Sequence, residues 1–314
     1  MASSFHHVPV MCGQILDLFE PGLAGPDPLM LDTTLGLGGH SLAALTRFES
    51  LRLIGIDRDP QALSIAEDRL SPFAGRVELH QTTYDHLDEA LNGRRPAAIL
   101  FDLGLSSMQI DSTERGFSYA WDSELSMRMD GDDDQLTAAD VVNTYTVGDL
   151  ASIFRRLGDE PHALRIASAI VARRDREPFT SSSDLVATII EATPTVQRRS
   201  GHPAKRVFQA LRMEVNHERE SLQSALPKAL RALALGGRLA VLSYHSGEDR
   251  IVKRLFQEAV TDRVPSGLAI VPDQYQAQFR LVVRSGLQPS PTEMNDNPRS
   301  RSARLRVIQR IKEK

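Results

Sequence analysis

The chain has 314 residues, 41% of them hydrophobic, a formal net charge of -4 and a single cysteine, Cys12. That length supports one large domain or two ordinary ones, while a lone thiol excludes an internal disulfide framework and an all-cysteine zinc site. No run approaches the roughly 20 apolar residues of a membrane span and the N-terminus lacks a signal-peptide pattern, so a cytoplasmic setting without membrane or metal is expected.

Through the first third, short apolar runs alternate with helical patterns, as in a parallel sheet with crossover helices. Residues 29–32 form the first predicted strand and run into a glycine-rich turn. Residues 51–57 form the second, followed by Pro60 at a first helical position and by Ala62, Leu63, Ala66 and Leu70 at helix spacing. Residues 76–80 give a third strand and residues 97–102 a buried fourth. Strands one, two and four each end in aspartate: Asp32, Asp57 and Asp102.

Between about Ser112 and Pro203 the strand signal fades into a helical, charged pattern, with an exposed loop at 130–134. Strands resume at 238–244, after Gly236 and Gly237, and recur at 279–283 and 305–311. The expected organisation is an α/β domain split into residues 1–111 and 204–314 around a helical insertion at 112–203, which would recognise the substrate.

The segment Asp32-Thr33-Thr34-Leu35-Gly36-Leu37-Gly38-Gly39-His40-Ser41 joins a predicted strand to a predicted helix. Its glycines let a ligand approach the backbone at a helix N-terminus. Asp57 ends the next strand, where a carboxylate accepts hydrogen bonds from ribose hydroxyls. Dinucleotides and S-adenosylmethionine both use this arrangement, and Ser41 stands where the dinucleotide fingerprint has its third glycine, which favours S-adenosylmethionine over a nicotinamide dehydrogenase. The plainer alternative is a tight turn without a ligand.

Ligands in open α/β sheets bind beyond the carboxyl ends of the strands, so reacting atoms are expected near Asp102 and the Ser106-Ser107 pair that follows it. Methyl transfer needs an aligned nucleophile more than a strong base; an exocyclic amine would be helped by an acceptor on its N–H, a part open to Asp102, Ser106, Ser107 or a backbone carbonyl. Methylation at a pyrimidine carbon would need a thiolate, and Cys12 lies far along the chain from the strand ends. His245, after the fifth main strand, is a second candidate for positioning or deprotonation; its structural alternative is a helix start with Ser246 and Asp249 as a capping box.

For nucleic acid, Arg198, Arg199, His202, Lys205, Arg206 and Arg212 cluster without an intervening acid, and phosphate contact is the preferred reading. Arg299, Arg301, Arg304, Arg306 and Arg310 form a second run, read instead as the water-facing side of a last strand whose Leu305, Val307 and Ile311 face the core.

At these residues the chain resembles the RsmH family, formerly MraW, the bacterial ribosomal RNA (cytosine-N4) methyltransferases. The markers run in order from residues 32–41 through Asp57-Arg58-Asp59, residues 102–109, Arg115-Gly116-Phe117-Ser118, Met127-Arg128-Met129, His202-Pro203-Ala204, residues 245–253 and residues 297–303. The resemblance implies a Rossmann-like S-adenosylmethionine-dependent methyltransferase sheet with an inserted helical domain, acting on a cytosine N4 in the decoding region of the assembled small ribosomal subunit. It carries the cofactor contacts onto Gly38, Gly39, His40, Asp57, Tyr84, Asp102 and Gln109. The chain departs from the family pattern at Tyr84, Met108, Ser126 and Gly247, where phenylalanine, proline, aspartate and leucine are usual. The rival readings are an amine methyltransferase with another substrate and an RNA-binding ribosome-assembly factor with a vestigial pocket. A homodimer is compatible with all of them.

Overall fold

The computed structural model describes residues 9–105, 108–109, 115–130, 135–195, 201–262 and 272–313. The chain divides into two compact units, residues 1–104 with 220–314, and residues 105–219.

The first unit is built on a seven-stranded sheet in the order β3-β2-β1-β4-β5-β7-β6. The strands are β1 (Leu29–Asp32), β2 (Arg52–Asp57), β3 (Val77–Gln81), β4 (Ala98–Asp102), β5 (Arg238–Ser243), β6 (Phe279–Leu281) and β7 (Arg304–Arg310). Strands β1 to β5 pair in parallel, whereas β7 runs antiparallel between β5 and β6. Side chains alternate across the sheet, so Met30, Leu53, Leu100, Leu242 and Val307 enter one apolar layer while Leu31, Ile54, Phe101, Val241 and Ile308 enter the other. Helices cover both layers: α1 (Cys12–Leu23), α2 (Gly39–Arg47) and α3 (Pro60–Leu70) on the first, α4 (Leu87–Leu91), the body of α10 (Glu218–Ala232) and α11 (Ser246–Ala259) on the second.

Helix α3 starts where the sequence predicts, with Pro60 at its first position and the Asp59 side chain accepting from the Gln61 N–H at 3.0 Å. Helix α1 went unpredicted: Ile15, Leu16, Phe19 and Leu23 bury one face, but Pro21 in its last turn blurs the pattern. The last strand also differs from expectation. It ends at Arg310, so Ile308 is buried and Ile311 lies 47% exposed beyond the strand.

The second unit contains α5 (Ala138–Thr144), α6 (Val147–Gly158), α7 (Ala163–Arg174), α8 (Ser182–Ala192) and α9 (Ala204–Val215). Its core joins Val141, Phe154, Ile166, Leu185, Phe208 and Leu211. Among the described residues it has only an isolated bridge, Glu124 to Ser181, in place of a sheet. The return to the first unit falls at 219/220 rather than 203/204, because α9 buries Val207, Phe208, Leu211 and Val215 in the helical core. Gly158 lets α6 meet α9 closely; a Cβ there would stand 2.4 Å from the Arg206 carbonyl oxygen. Buried Asn216 ties down the Met127-Arg128-Met129 run: its side chain donates to the Met127 carbonyl at 2.7 Å and accepts from the Met129 N–H at 3.0 Å. Among the described residues no helix is long and apolar enough to cross a membrane.

Candidate active site

The strand order reverses direction between β1 and β4, and in open α/β sheets the crevice at that switch point receives the ligand. The two strand ends there carry Asp32 and Asp102. Thr33 and Thr34 lock them together: the Thr33 hydroxyl donates to the Leu100 carbonyl at 2.8 Å, and the Asp102 N–H donates to the Thr34 hydroxyl at 2.6 Å. Asp32 is only 1% exposed and accepts from the Ser41 hydroxyl at 2.7 Å. Burial pushes its carboxyl above the usual range, with the Ser41 hydrogen bond pulling the other way.

The glycine loop closes onto β2. Gly36 N–H donates to one Asp57 oxygen at 2.7 Å and Asp59 N–H to the other at 2.9 Å. Burial nevertheless raises the Asp57 carboxyl to about 6. Gly38 caps α2 in the left-handed region, at φ 72. Gly39 has a different reason to lack a side chain: its Cβ would stand 2.6 Å from Pro9 Cγ. His40, 6% exposed, is fixed by the same segment, with Nε2 3.0 Å from the Val10 carbonyl and Nδ1 3.6 Å from Asp102 Oδ2.

That contact alters the reading of Cys12. Far from the strand ends in sequence, it follows directly on a Pro9–Met11 stretch that packs against the glycine loop. Its chemistry still opposes a nucleophilic role, since burial and the nearby Glu293 carboxylate push the thiol up to about 11.

Two residues not singled out from sequence complete the strand-end cluster. The Tyr244 hydroxyl donates to Asp102 Oδ1 at 2.8 Å, and Glu248, 4% exposed, accepts from the Tyr244 N–H at 2.9 Å. Their signal lay in the position after β5, which sequence reasoning assigned to His245 alone. His245 is itself the N-cap of α11, in place of the expected Ser246: its Nδ1 accepts from Gly247 N–H at 3.2 Å, and its Nε2 lies 3.1 Å from Glu248 Oε1. A Cβ at 247 would stand 3.1 Å from the His245 ring, so glycine suits this cap.

Tyr84 follows β3 and sets its ring edge-on to Phe101, centroids 5.8 Å apart. Gln109 belongs to the second unit and is buried. Ser106, Ser107, Arg198 and Arg199 lie outside the described residues. Of the first basic cluster, His202, Lys205 and Arg206 are exposed at the start of α9. Arg212 is not available to phosphate, because it forms a buried bidentate pair with Glu218 at 2.7 and 2.8 Å. In the second run Arg299 and Arg301 are exposed, but two residues depart from the water-facing expectation: Arg306 pairs with Asp249 at 2.7 Å, and Arg310, 3% exposed, donates to the Arg231 and Leu233 carbonyls.

The donor set fits S-adenosylmethionine by charge. A sulfonium and an ammonium are favoured beside Asp32 and Asp102, where a pyrophosphate would meet buried carboxylates. Asp57 is a carboxylate acceptor of the kind that ribose hydroxyls use. A sheet of this order with a crevice of this charge is that of the Rossmann-like S-adenosylmethionine-dependent methyltransferases, and the chain is one of that class.

Within the class, the chain belongs to the MraW methylase family, whose model matches residues 4–311. It is 47% identical over 315 residues to the ribosomal RNA small subunit methyltransferase H of Streptomyces avermitilis, covering 99% of each chain. It is 50% identical over 321 residues to the protein of that name from Mycobacterium tuberculosis, covering 98% of this chain and 81% of the relative. Among solved structures, an rRNA methylase from Streptococcus thermophilus aligns over 95% of this chain and 97% of its own at 14% identity, with a TM-score of 0.43, too distant to bear on the site.

Proposed function

We propose that the protein transfers a methyl group from S-adenosylmethionine to the exocyclic N4 of a cytosine in the decoding region of small-subunit ribosomal RNA, in the cytoplasm. The family membership and the names of the relatives support a ribosomal RNA substrate. The observation that carries the choice of an amine is the strand-end chemistry: a carboxylate acceptor at Asp102, while the only thiol of the chain, Cys12, is pushed up to about 11 by burial and Glu293.

S-adenosylmethionine supplies the electrophilic methyl when bound. Asp57 holds the ribose hydroxyls, and Gly38, Gly39 and His40 present the start of α2 to the ligand. Tyr84, with Phe101 at its edge, offers an aromatic face to the adenine, and Gln109 is assigned to the same cofactor. Asp102 orients the reacting groups. Its Oδ1 is held by Tyr244 and its Oδ2 faces His40, which fixes the carboxylate as an acceptor for the ligand's ammonium or the attacking amine. Ser106 and Ser107, just beyond β4, share that acceptor part. His245 acts by fixing the turn that carries Tyr244. The helical unit, with Arg198, Arg199, His202, Lys205 and Arg206, holds RNA phosphates.

The test is to incubate the protein with methyl-labelled S-adenosylmethionine and small subunits from a strain lacking the enzyme, then digest the RNA to nucleosides. Labelled N4-methylcytidine is the expected product. Label in another nucleoside overturns the N4 assignment, and cofactor binding without transfer to RNA supports a different acceptor.

A further inference from the structure

We propose that Trp121 and the outer face of His202 form a stacking platform for unpaired bases on the helical unit, with Lys205 and Arg206 beside it to meet backbone phosphates. The proposal rests on the RNA reading above and adds the surface that would take single-stranded nucleotides.

Trp121 is the only tryptophan in the chain, and it is 66% exposed. Its indole offers solvent a large, flat aromatic face. Its backbone is firmly held. Buried Ser182 donates its hydroxyl to the Trp121 carbonyl at 2.9 Å and accepts from the Ser123 N–H at 3.0 Å, while the Ser183 N–H donates to Asp122 Oδ1 at 3.2 Å. The exposed ring therefore sits on a fixed support.

Two residues earlier, Tyr119 stacks on His202, ring centroids 4.6 Å apart and 23° from parallel, and meets Phe208 edge-on. Phe208 belongs to the helical core, so the stack is anchored from below. The His202 ring is fixed a second time, its Nδ1 accepting from the Ala204 N–H at 3.2 Å. His202 is nonetheless exposed, and with one face on Tyr119 its free face is the other. Residues two apart are separated by at most about 7 Å between Cα atoms, which keeps the backbone of Trp121 near that of Tyr119. Lys205 and Arg206 follow in the first turn of α9, both exposed and neither in an ion pair among the described residues.

Rigid aromatic faces beside unpaired cations are what single-stranded nucleic acid uses: bases stack with little regard to sequence while phosphates meet the positive charge. Asp122 is the opposing charge, so the phosphates are expected on the side of α9. An adhesive protein surface would instead gather further apolar side chains, whereas Trp121 is flanked in sequence by Ala120 and Asp122 and the exposed residues that open α9 are His202, Lys205 and Arg206.

Because the chain has no other tryptophan, fluorescence excited at the red edge, where its five tyrosines do not absorb, reports on Trp121 alone. The full-length protein is titrated with hexacytidylate at low salt, and binding of the labelled oligonucleotide is followed in parallel by anisotropy for wild type, W121A and W121F. Saturable quenching is expected, with binding about tenfold weaker in W121A and within about twofold of wild type in W121F. Unchanged cofactor affinity and thermal melting would show both variants folded. Methylation of small subunits without quenching by hexacytidylate, or with W121A binding as wild type, overturns the platform and leaves the methyltransferase reading standing. Absence of both RNA binding and subunit methylation removes the two together. A fluorescence change that follows protein concentration alone would mark the surface as a protein contact and overturn the proposal.

Discussion

The Tyr244 hydroxyl, carried just beyond β5, donates a 2.8 Å hydrogen bond to the Asp102 carboxylate at the end of β4. Burial and the Asp102 charge push the phenol well above its usual range, so it stays a donor at every working pH. Removing the hydroxyl in Tyr244→Phe takes this donor from the carboxylate without opening a cavity. A hydrogen bond to a charged group contributes about 1.5–3 kcal/mol to stability, so the melting temperature should fall, and S-adenosylmethionine should bind roughly tenfold more weakly as Asp102 loses its orientation. Calorimetry showing wild-type affinity would remove Tyr244 from the cofactor site.

Asp57 gives a pH dependence of definite sign. Its carboxyl stands at about 6 against an ordinary 3.8, so between those values the folded protein keeps a proton that the unfolded chain has lost. Stability attributable to this group is present below about pH 4 and declines as pH rises to 6, by an upper figure of about 3 kcal/mol. Cofactor affinity runs the other way, since ribose hydroxyls donate best to the ionised carboxylate, and should fall as pH drops through 6. Asp57→Asn is expected to flatten both trends. A pH-independent affinity in the wild-type protein would refute the ribose role.

Much of the sheet was legible because its strands are apolar runs punctuated by glycine and aspartate: Asp32, Asp57 and Asp102 sit at the strand ends as read from sequence. What escaped depends on partners far along the chain. Nothing local announces that Asn216 will bind the backbone of Met127 and Met129, or that Pro9 will lie on Gly39. The same blindness affected arginines. Arg212 and Arg306 look like free cations in sequence, yet each is paired with a carboxylate brought to it by the fold.

The Arg212–Glu218 pair yields a stability prediction. Both side chains are largely buried, and the two bonds are bidentate. Arg212→Ala removes both of these bonds from a largely buried carboxylate and should cost about 3–5 kcal/mol by denaturant unfolding. If Arg212 were instead a phosphate contact, its loss would steepen RNA dissociation while leaving stability near wild type.

Gly39 offers a test of how the N-terminal segment seals the loop. Gly39→Ala places a methyl carbon against Pro9, where the gap is 2.6 Å, and should weaken both folding, by about 1–3 kcal/mol, and cofactor binding. The double variant Gly39→Ala with Pro9→Ala should recover much of the loss. Equal defects in the single and double variants would show that Pro9 is not the obstacle.

Arg206→Glu should weaken RNA binding and lower the salt dependence of its logarithm by about one phosphate's worth, with S-adenosylmethionine binding untouched. An unchanged salt slope would place the phosphates elsewhere.

The insertion of β7 between β5 and β6 has a consequence for how the chain is made. Synthesis releases β1 to β4 first, with the outer edge of β4 unsatisfied until residues 238–243 emerge, and β5 then waits in turn for residues 304–310. The helical unit is translated during the first of these waits. An open, apolar strand edge held that long during elongation invites pairing with other nascent chains. Shortened products ending before β7 should therefore be the aggregating species, and the fraction recovered in soluble form should depend on how quickly the last segment is delivered.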